Sequence, residues 1–352
     1  MKEKANFNFF TKRIDYPNPE TNFFQLLADS NFISVPQDVD LKRDEILLRF
    51  EQKIWEYDIK SDEDNINIFN SYYKKVDNDY YYMHDIYYQE VSKSKLKNSR
   101  SCPPTLSFRT LIIDNHLHIK FGLPVFYGNS IRIYPINEAL ASMYISDCIR
   151  NTIDNNIVDF FFVDKIYYFN NHSDYCIAHR IKSSKMQTIP IGNYFNGLLY
   201  FSKKDKEQRF KEAMKFVKLF LFDLNKLIKE ISQIGLGLEI HGQNLLVYVD
   251  SNGNPIHRYL YRDFGHCTIS QELYYINKDI NNYYQEKYNF NFQATGKMAS
   301  HKIHIWQSFR TFILGFLFYN LDRYSKINNI FYNVYEWGDD IIKKCSILKD
   351  IY

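Results

Sequence analysis

The sequence has no Cys-x-x-Cys pair, no block of Lys and Arg, and no uninterrupted apolar run long enough to cross a bilayer. Its five cysteines, Cys102, Cys148, Cys176, Cys267 and Cys345, are scattered and odd in number. A disulfide framework, a structural zinc site and a thiolate-held iron–sulfur cluster are therefore not expected. The 44 basic and 41 acidic residues nearly cancel to a formal charge of +3, and no arm or stripe gathers the positive ones. That balance argues against nucleic acid as a partner. The best apolar stretch, Phe309 to Leu321, is short and contains Arg310, so it reads as a buried helix and no membrane partner is expected. The residues from Met1 to Asn8 are polar and lead into no apolar segment of a signal peptide, which makes a cytoplasmic location the expectation.

What the sequence does have is a globular composition, with 45% hydrophobic and 24% charged residues over 352 positions. That length exceeds one small core and suggests two domains or one elaborate domain. The 30 Tyr and 29 Phe are unusually many, and together with abundant Asn, Ile and Lys they read as a compositional bias.

Three regions differ in pattern. Residues 1–95 read as a reduced N-terminal helical region, with Phe24, Leu26 and Leu27 before Pro36 and Leu47, Leu48, Phe50 and Ile54 after it at helical spacing. Ser61 to Asn78 is polar and reads as loop, and the Tyr-rich run from Asp79 to Tyr88 fits neither period. Residues 96–204 are β-rich, with short β-branched or aromatic runs at Thr110 to Ile113, His116 to Phe121 and Ser130 to Tyr134, parted by Asp-Asn or Gly-Asn turn signals. A helix is expected from Ile136 to Ile153, and strands at Val158 to Phe169 and Tyr175 to Ile181. Residues 205–352 read as mainly helical. Their clearest element is 205–234, where Phe210, Ala213, Phe216, Leu219, Phe220, Leu224, Leu227 and Ile231 recur mostly at three- and four-residue intervals until Gly235.

Between the helices lies a hairpin, 239–265, whose turn is Asp250-Ser251-Asn252-Gly253-Asn254-Pro255. It carries His241-Gly242-Gln243-Asn244 before one strand and Arg262-Asp263-Phe264-Gly265 after the other. An Asn carbonyl and an Asp carboxylate that meet at one hairpin end are hard oxygen ligands suited to Mg²⁺. This is the kinase-like metal arrangement, in which such ions neutralise phosphate charge. The bland alternative is that Asp263 caps the next segment and His241 is a satisfied core histidine. A phosphotransferase needs an Asp shortly after the His to receive a hydroxyl proton, and Gln243 stands there instead. A carboxylate substrate is already ionised roughly three units above its pKa and needs no base to attack ATP. The pattern thus favours adenylation over phosphorylation.

Upstream, Ser107-Phe108-Arg109-Thr110, His118-Ile119-Lys120 and Ser130-Ile131-Arg132 place Arg109, Lys120 and Arg132 on consecutive strands. Three such cations could converge on a triphosphate and a carboxylate, although basic residues on strands are usually a solvated face.

In this order, with Glu239-Ile240-His241-Gly242-Gln243-Asn244 and Arg262-Asp263 following, these segments resemble the IucA/IucC family of NRPS-independent siderophore (NIS) synthetases. The resemblance implies an α+β cupped-hand fold: residues 1–95 as a reduced thumb-like region, 96–204 as an antiparallel fingers-like sheet that binds nucleotide, and 205–352 as a mostly helical palm carrying the hairpin. It implies an ATP-dependent ligase that adenylates a small carboxylic acid such as citrate, then condenses it with an amine, polyamine or hydroxyl, releasing AMP and pyrophosphate. ATP and Mg²⁺ are the implied cofactors. Ser107, Arg109, Lys120 and Gln243 would contact the nucleotide, Arg132 and His241 the carboxylate or its adenylate, and Asn244 and Asp263 the metal. Relatives are often dimers, and no stretch of the sequence marks a homodimer interface.

The sequence also departs from the family. It lacks an N-terminal His-Pro…Lys counterpart, Gly128-Asn129 replaces an expected Thr-Ser before Arg132, and family members are considerably longer. His84 and Lys344 are weak candidates for two further family positions. Two other readings therefore stand beside the ligase: a catalytically reduced member acting as a nucleotide-binding or regulatory protein, and a small-molecule kinase.

Overall fold

The computed structural model describes residues 52–58, 66–73, 81–87, 95–102, 105, 109–114, 116–124, 126–127, 130–131, 133–152, 158–169, 172–182, 184, 186–202, 204–295, 298, 315–346 and 348. Ser107, Arg132, the expected helical stretch before Glu51 and the 309–314 part of the expected buried helix lie outside the described residues.

The described strands, in chain order, are β1 (Gln52–Tyr57), β2 (Ile66–Asn70), β3 (Tyr81–His84), β4 (Leu96–Cys102), β5 (Thr110–Ile112), β6 (Leu117–Phe121), β7 (Phe126–Tyr127), β8 (Ser130–Ile131), β9 (Val158–Phe169), β10 (Ile177–Lys182), β11 (Thr188–Pro190), β12 (Leu236–Gly237), β13 (Leu245–Val249), β14 (Pro255–Tyr261) and β15 (Thr268–Ile269). The α-helices are α1 (Ile136–Thr152), α2 (Ile191–Asn196), α3 (Lys206–Gln233), α4 (Gln271–Ile276), α5 (Lys278–Tyr288), α6 (Tyr319–Ile327) and α7 (Val334–Ile342). The fold is α+β.

One eight-stranded sheet organises the molecule. Its order is β11-β13-β14-β9-β10-β6-β5, with β2 also paired to β9. The spine is β9, whose 12 residues run about 40 Å at ~3.3 Å each. Its first three residues pair in parallel with the end of β14, the stretch from Phe161 to Tyr167 pairs antiparallel with β10, and Lys165 to Phe169 pair antiparallel with β2. Strands from 96–204 and from 205–352 thus share a single sheet.

Two cores follow from strand alternation. On β6 and β10, Leu117, Ile119, Phe121, Ile177 and Ile181 share a core with Ile54, Tyr57, Tyr82 and Met83 of the small β3-β1-β4 sheet. The intervening residues His118, Lys120, Arg180 and Lys182 belong to the opposite face, and all four are buried. The larger core gathers α1 and α3 against the rest of the sheet. Asp205 caps α3 by accepting the Gln208 N–H at 2.9 Å, and Phe210, Ala213, Val217, Phe220, Leu224, Leu227 and Ile231 form its buried stripe. Gly235 ends it at φ +78, where an added Cβ would fall 2.1 Å from Ser270 Oγ, so that turn demands glycine.

A buried carboxylate ties β2 to this frame. Asp147 of α1 accepts hydrogen bonds from Ser71 Oγ (2.6 Å), the Tyr72 N–H (2.7 Å) and Tyr284 Oη (2.7 Å). Burial still holds its carboxyl above the ordinary value.

Two expectations give way. The helical spacing that ends with Ile54 meets strand β1 instead, because Ile54 is fully buried and pairs across to His84 and Arg100. The polar stretch read as loop contains β2, whose short Ile66-Asn67-Ile68-Phe69-Asn70 run sits among polar residues and is fixed as a strand by antiparallel pairing with β9. The helix expected from Ile136 and the strand expected from Val158 to Phe169 are present as α1 and β9. Among the described residues no helix is long and apolar enough to cross a membrane.

Candidate functional site

The β13–β14 hairpin closes with Leu245 opposite Tyr261 and with the Arg262 N–H donating to the Asn244 carbonyl at 2.9 Å. Asn244 and Asp263 are thereby held at one end of the sheet. Asp263 adopts a left-handed backbone, φ 76, before a short turn from Phe264 to His266. Phe264 anchors that turn in the core against Phe160 and Tyr261, with ring centroids 6.0 and 5.7 Å away. A side chain on Gly265 would meet Glu138 Oε1 at 2.8 Å and Asp263 Oδ1 at 3.3 Å, so the glycine allows two carboxylates to approach the same spot.

Around Asp263 the sheet supplies cations. Lys120 Nζ donates to both carboxylate oxygens at 3.0 and 3.2 Å, and Arg180 Nη2 to Oδ1 at 2.9 Å. Lys120 lies also 3.9 Å from Glu138 Oε1 and 4.3 Å above the Tyr134 ring. Burial alone would raise the Asp263 carboxyl, but Arg180 and Lys120, with Arg109 in support, hold it well below the usual carboxylate range. Burial pulls the Lys120 ammonium down to about 8, with Asp263 opposing and Arg180 and Arg109 reinforcing that shift. Arg109 is drawn into the same group: burial lowers it and Asp263 and Glu138 raise it, while its Nη1 donates to the Ile133 carbonyl at 2.5 Å.

On the other rim, His241 Nδ1 accepts the backbone N–H groups of Gln243 and Asn244 at 3.2 and 3.3 Å. This assignment places the ring proton on Nε2, which lies 3.8 Å from Glu239 Oε2. Burial, reinforced by Arg262, pushes His241 down to about 4 against the pull of Asp263, so it is neutral near pH 7. The buried Asn244 amide donates through Nδ2 to the Glu239 carbonyl and Oε2, each at 3.4 Å, which leaves Oδ1 as the amide's acceptor atom. Arg262 Nε braces the loop by donating to the Gln243 carbonyl at 3.1 Å.

The residues fit a magnesium ion bound together with a phosphate better than a self-sufficient metal centre. Among the described residues no group of three or more His, Cys, Asp or Glu could hold a metal by itself. Asp263 and Asn244 offer two hard oxygen atoms at one hairpin end, and Mg²⁺ usually takes only one or two carboxylates plus substrate phosphates and water.

Of the residues singled out from the sequence, Arg109, Lys120 and Asp263 are gathered into this cluster, and His241, Gln243 and Asn244 form its hairpin rim. Ser107 and Arg132 lie outside the described residues. Arg180, Glu138 and Tyr134 were missed. Arg180 follows Ala178 and precedes Lys182 in the period-two pattern of β10, and it pairs across to His118, so strand alternation carried a signal for it. Glu138 sits in the first turn of α1, far in sequence from every motif. His84 is a buried structural residue, its Nε2 2.7 Å from Gln52 Oε1 and its Nδ1 accepting the Ile86 N–H. Lys344 is exposed in the turn after α7.

No family model and no curated protein matches the sequence. Solved structures do. ATP-bound aerobactin synthetase IucA from a hypervirulent pathotype of Klebsiella pneumoniae aligns with a TM-score of 0.64 at 13% identity, over 100% of this chain and 75% of that one. Aerobactin synthetase IucC of the same origin gives 0.55 at 11% identity, over 94% and 76% of the two chains. The petrobactin biosynthesis protein AsbB from Bacillus anthracis gives 0.54 at 14% identity, over 86% of this chain and 62% of that one, so the match takes in less than two thirds of AsbB. The hairpin site thus stands in the fold of the IucA/IucC-type siderophore synthetases, the family that the sequence motifs resemble.

Proposed function

We propose that the chain is an ATP-dependent ligase that adenylates a small carboxylic acid, such as citrate, and passes the acyl group to an amine or hydroxyl. The observation that carries this reading is the pairing of a dense cation cluster with a histidine that cannot serve as a base. Lys120, Arg180 and Arg109 surround Asp263, while the Nδ1 lone pair of His241 is taken by two backbone N–H groups.

Phosphorylation of a hydroxyl needs a proton acceptor at this position, and neither neutral His241 nor Gln243 supplies one. Attack by a carboxylate oxygen on the α-phosphorus of ATP needs none. It needs charge stabilisation, which prearranged cations give most strongly in a buried site. Lys120, Arg180 and Arg109 would bind the triphosphate and hold pyrophosphate as it leaves. The Nε2–H of His241 would donate to the carboxylate or the adenylate, with Arg132 as its second contact and Ser107 and Gln243 on the nucleotide. Asn244 and Asp263 would hold Mg²⁺, which neutralises phosphate charge when bound. In the second half-reaction the amine or hydroxyl adds to the acyl carbon and AMP departs with its bridging oxygen.

Incubation with Mg-ATP, citrate and a diamine, followed by nucleotide analysis, tests this. AMP plus pyrophosphate is expected, and ADP plus phosphate would replace the ligase by a kinase. A protein that binds ATP and releases neither product would be the nucleotide-binding relative that the replacement of Thr-Ser by Gly128-Asn129 favours.

A further inference from the structure

The far end of the same hairpin borders a second cleft. β13 has five residues, so its turn lies about 17 Å from Asn244 at ~3.3 Å per residue. There the turn faces α3 and the segment after α2 across a cavity of about 740 Å³, within the range of small-molecule sites.

Three features mark it as built. Its turn wall is fixed: Asp250 accepts the N–H groups of Asn252 and Asn254, each at 2.8 Å, and the Asn254 side chain at 3.1 Å. Next, β14 bulges between Pro255 and Tyr259, and His257 within the bulge takes φ 54, a left-handed conformation uncommon for a residue with a side chain. It is held so by Asp223, whose Oδ2 meets His257 Nδ1 at 2.8 Å and also accepts Tyr259 Oη at 2.7 Å. With a carboxylate as partner, Nδ1 carries the proton and Nε2 is left to a ligand. Finally, the lining is segregated by chemistry. Tyr194, Phe216 and Leu219 give an apolar wall, while Lys204 is neutralised by Glu212 and Lys215 has no ion-pair partner among the described residues.

We propose that this cleft is a second small-molecule site that takes an organic monocarboxylate with a ring-sized apolar body. The body lies against Phe216 and Leu219 and the carboxylate meets Lys215. The site is separate from the catalytic cluster and does not depend on the ligase reading.

Calorimetry with phenylacetate as probe, and phenylacetamide as its uncharged counterpart, tests the proposal on the full chain. Saturable binding of phenylacetate is expected, with phenylacetamide at least tenfold weaker. Lys215→Met should weaken phenylacetate at least fivefold, and Leu219→Glu, on the helix surface, should intrude on the cleft, repel the carboxylate and remove binding. Both variants should keep the ATP affinity of the wild type, which shows that they fold. Absence of saturable binding, equal binding by wild type and Leu219→Glu, or displacement of phenylacetate by ATP would each overturn the proposal.

Discussion

Replacing Asp263 by Asn removes one negative charge from between two buried cations and leaves the shape of the site intact. Lys120 Nζ and Arg180 Nη2 lie 3.0 and 2.9 Å from Asp263 Oδ1, and their side chains are 2% and 3% exposed. At an effective dielectric of about 20 each pair has roughly 5 kcal/mol of gross attraction, and removing one partner of a buried pair costs about 3–5 kcal/mol net. The two cations respond differently. Lys120 already titrates at about 8, and without Asp263 it falls further. It can shed its proton near neutral pH for about 1.4 kcal/mol per unit, which limits its share of the loss. Arg180 cannot deprotonate and bears the remainder. Asp263→Asn should therefore lose roughly 3 kcal/mol of stability, a fall in Tm on the order of 4 °C. The same change frees the cations for phosphate. In EDTA, the variant should bind ATP about tenfold more tightly than wild type, because the triphosphate no longer competes with the carboxylate. With Mg²⁺ its turnover should drop at least ~100-fold, since the proposed metal site would lose its anionic ligand. Calorimetry of metal-free ATP binding, beside a turnover assay with Mg²⁺, measures both. A variant that binds metal-free ATP no better than wild type, or that keeps its turnover, would refute the idea that Asp263 alternates between the cations and a metal.

The remaining predictions concern the supports of the site and the frame. Gly265→Ala should force Glu138 and Asp263 apart and cut turnover at least ~10-fold for a stability loss of about 1–3 kcal/mol, seen as a kcat change far larger than the Tm change implies; wild-type turnover would show that the close approach is unimportant. Tyr284→Phe should cost about 1–3 kcal/mol in urea unfolding, because Asp147 stays buried with one donor fewer; an unchanged midpoint would mean that β2 is held by other means. Burial lowers His84 to about 4 and His179 to about 3 from an ordinary value of 6.5. The stability that these neutral imidazoles contribute is fully present above pH 6.5 and is lost as pH falls toward 4, because the unfolded chain takes up protons that the folded one refuses. For His84 the loss is roughly 3 kcal/mol, so His84→Gln should show a shallower decline than wild type between pH 6.5 and 4. Parallel declines would contradict the assignment.

Local chemistry made much of this protein legible. The repeating apolar stripe of α3, the mostly aromatic and β-branched run of β9 and the Asp-Ser-Asn-Gly turn of the hairpin each need only their own residues to be recognised. What was not legible depends on distant partners. β2 is only five residues, Ile66-Asn67-Ile68-Phe69-Asn70, inside a polar stretch, and pairing with β9 makes it a strand. Ile54 fits a helical period but is captured by the β3-β1-β4 sheet. Arg180 and Glu138 come to the Asp263 cluster from a strand and a helix with no motif of their own; alternation in β10 marks the face of Arg180, but only tertiary packing sets its partner and the place of Glu138.

Oxygen transfer tests the central claim most directly. If the chain adenylates a carboxylic acid, one carboxylate oxygen becomes the bridge to the α-phosphorus and leaves with AMP when the nucleophile adds. Citrate labelled with ¹⁸O in its carboxylates, turned over with Mg-ATP and a diamine, should yield AMP carrying one ¹⁸O per amide formed. Unlabelled AMP, or label appearing in inorganic phosphate beside ADP, would contradict adenylation at this site.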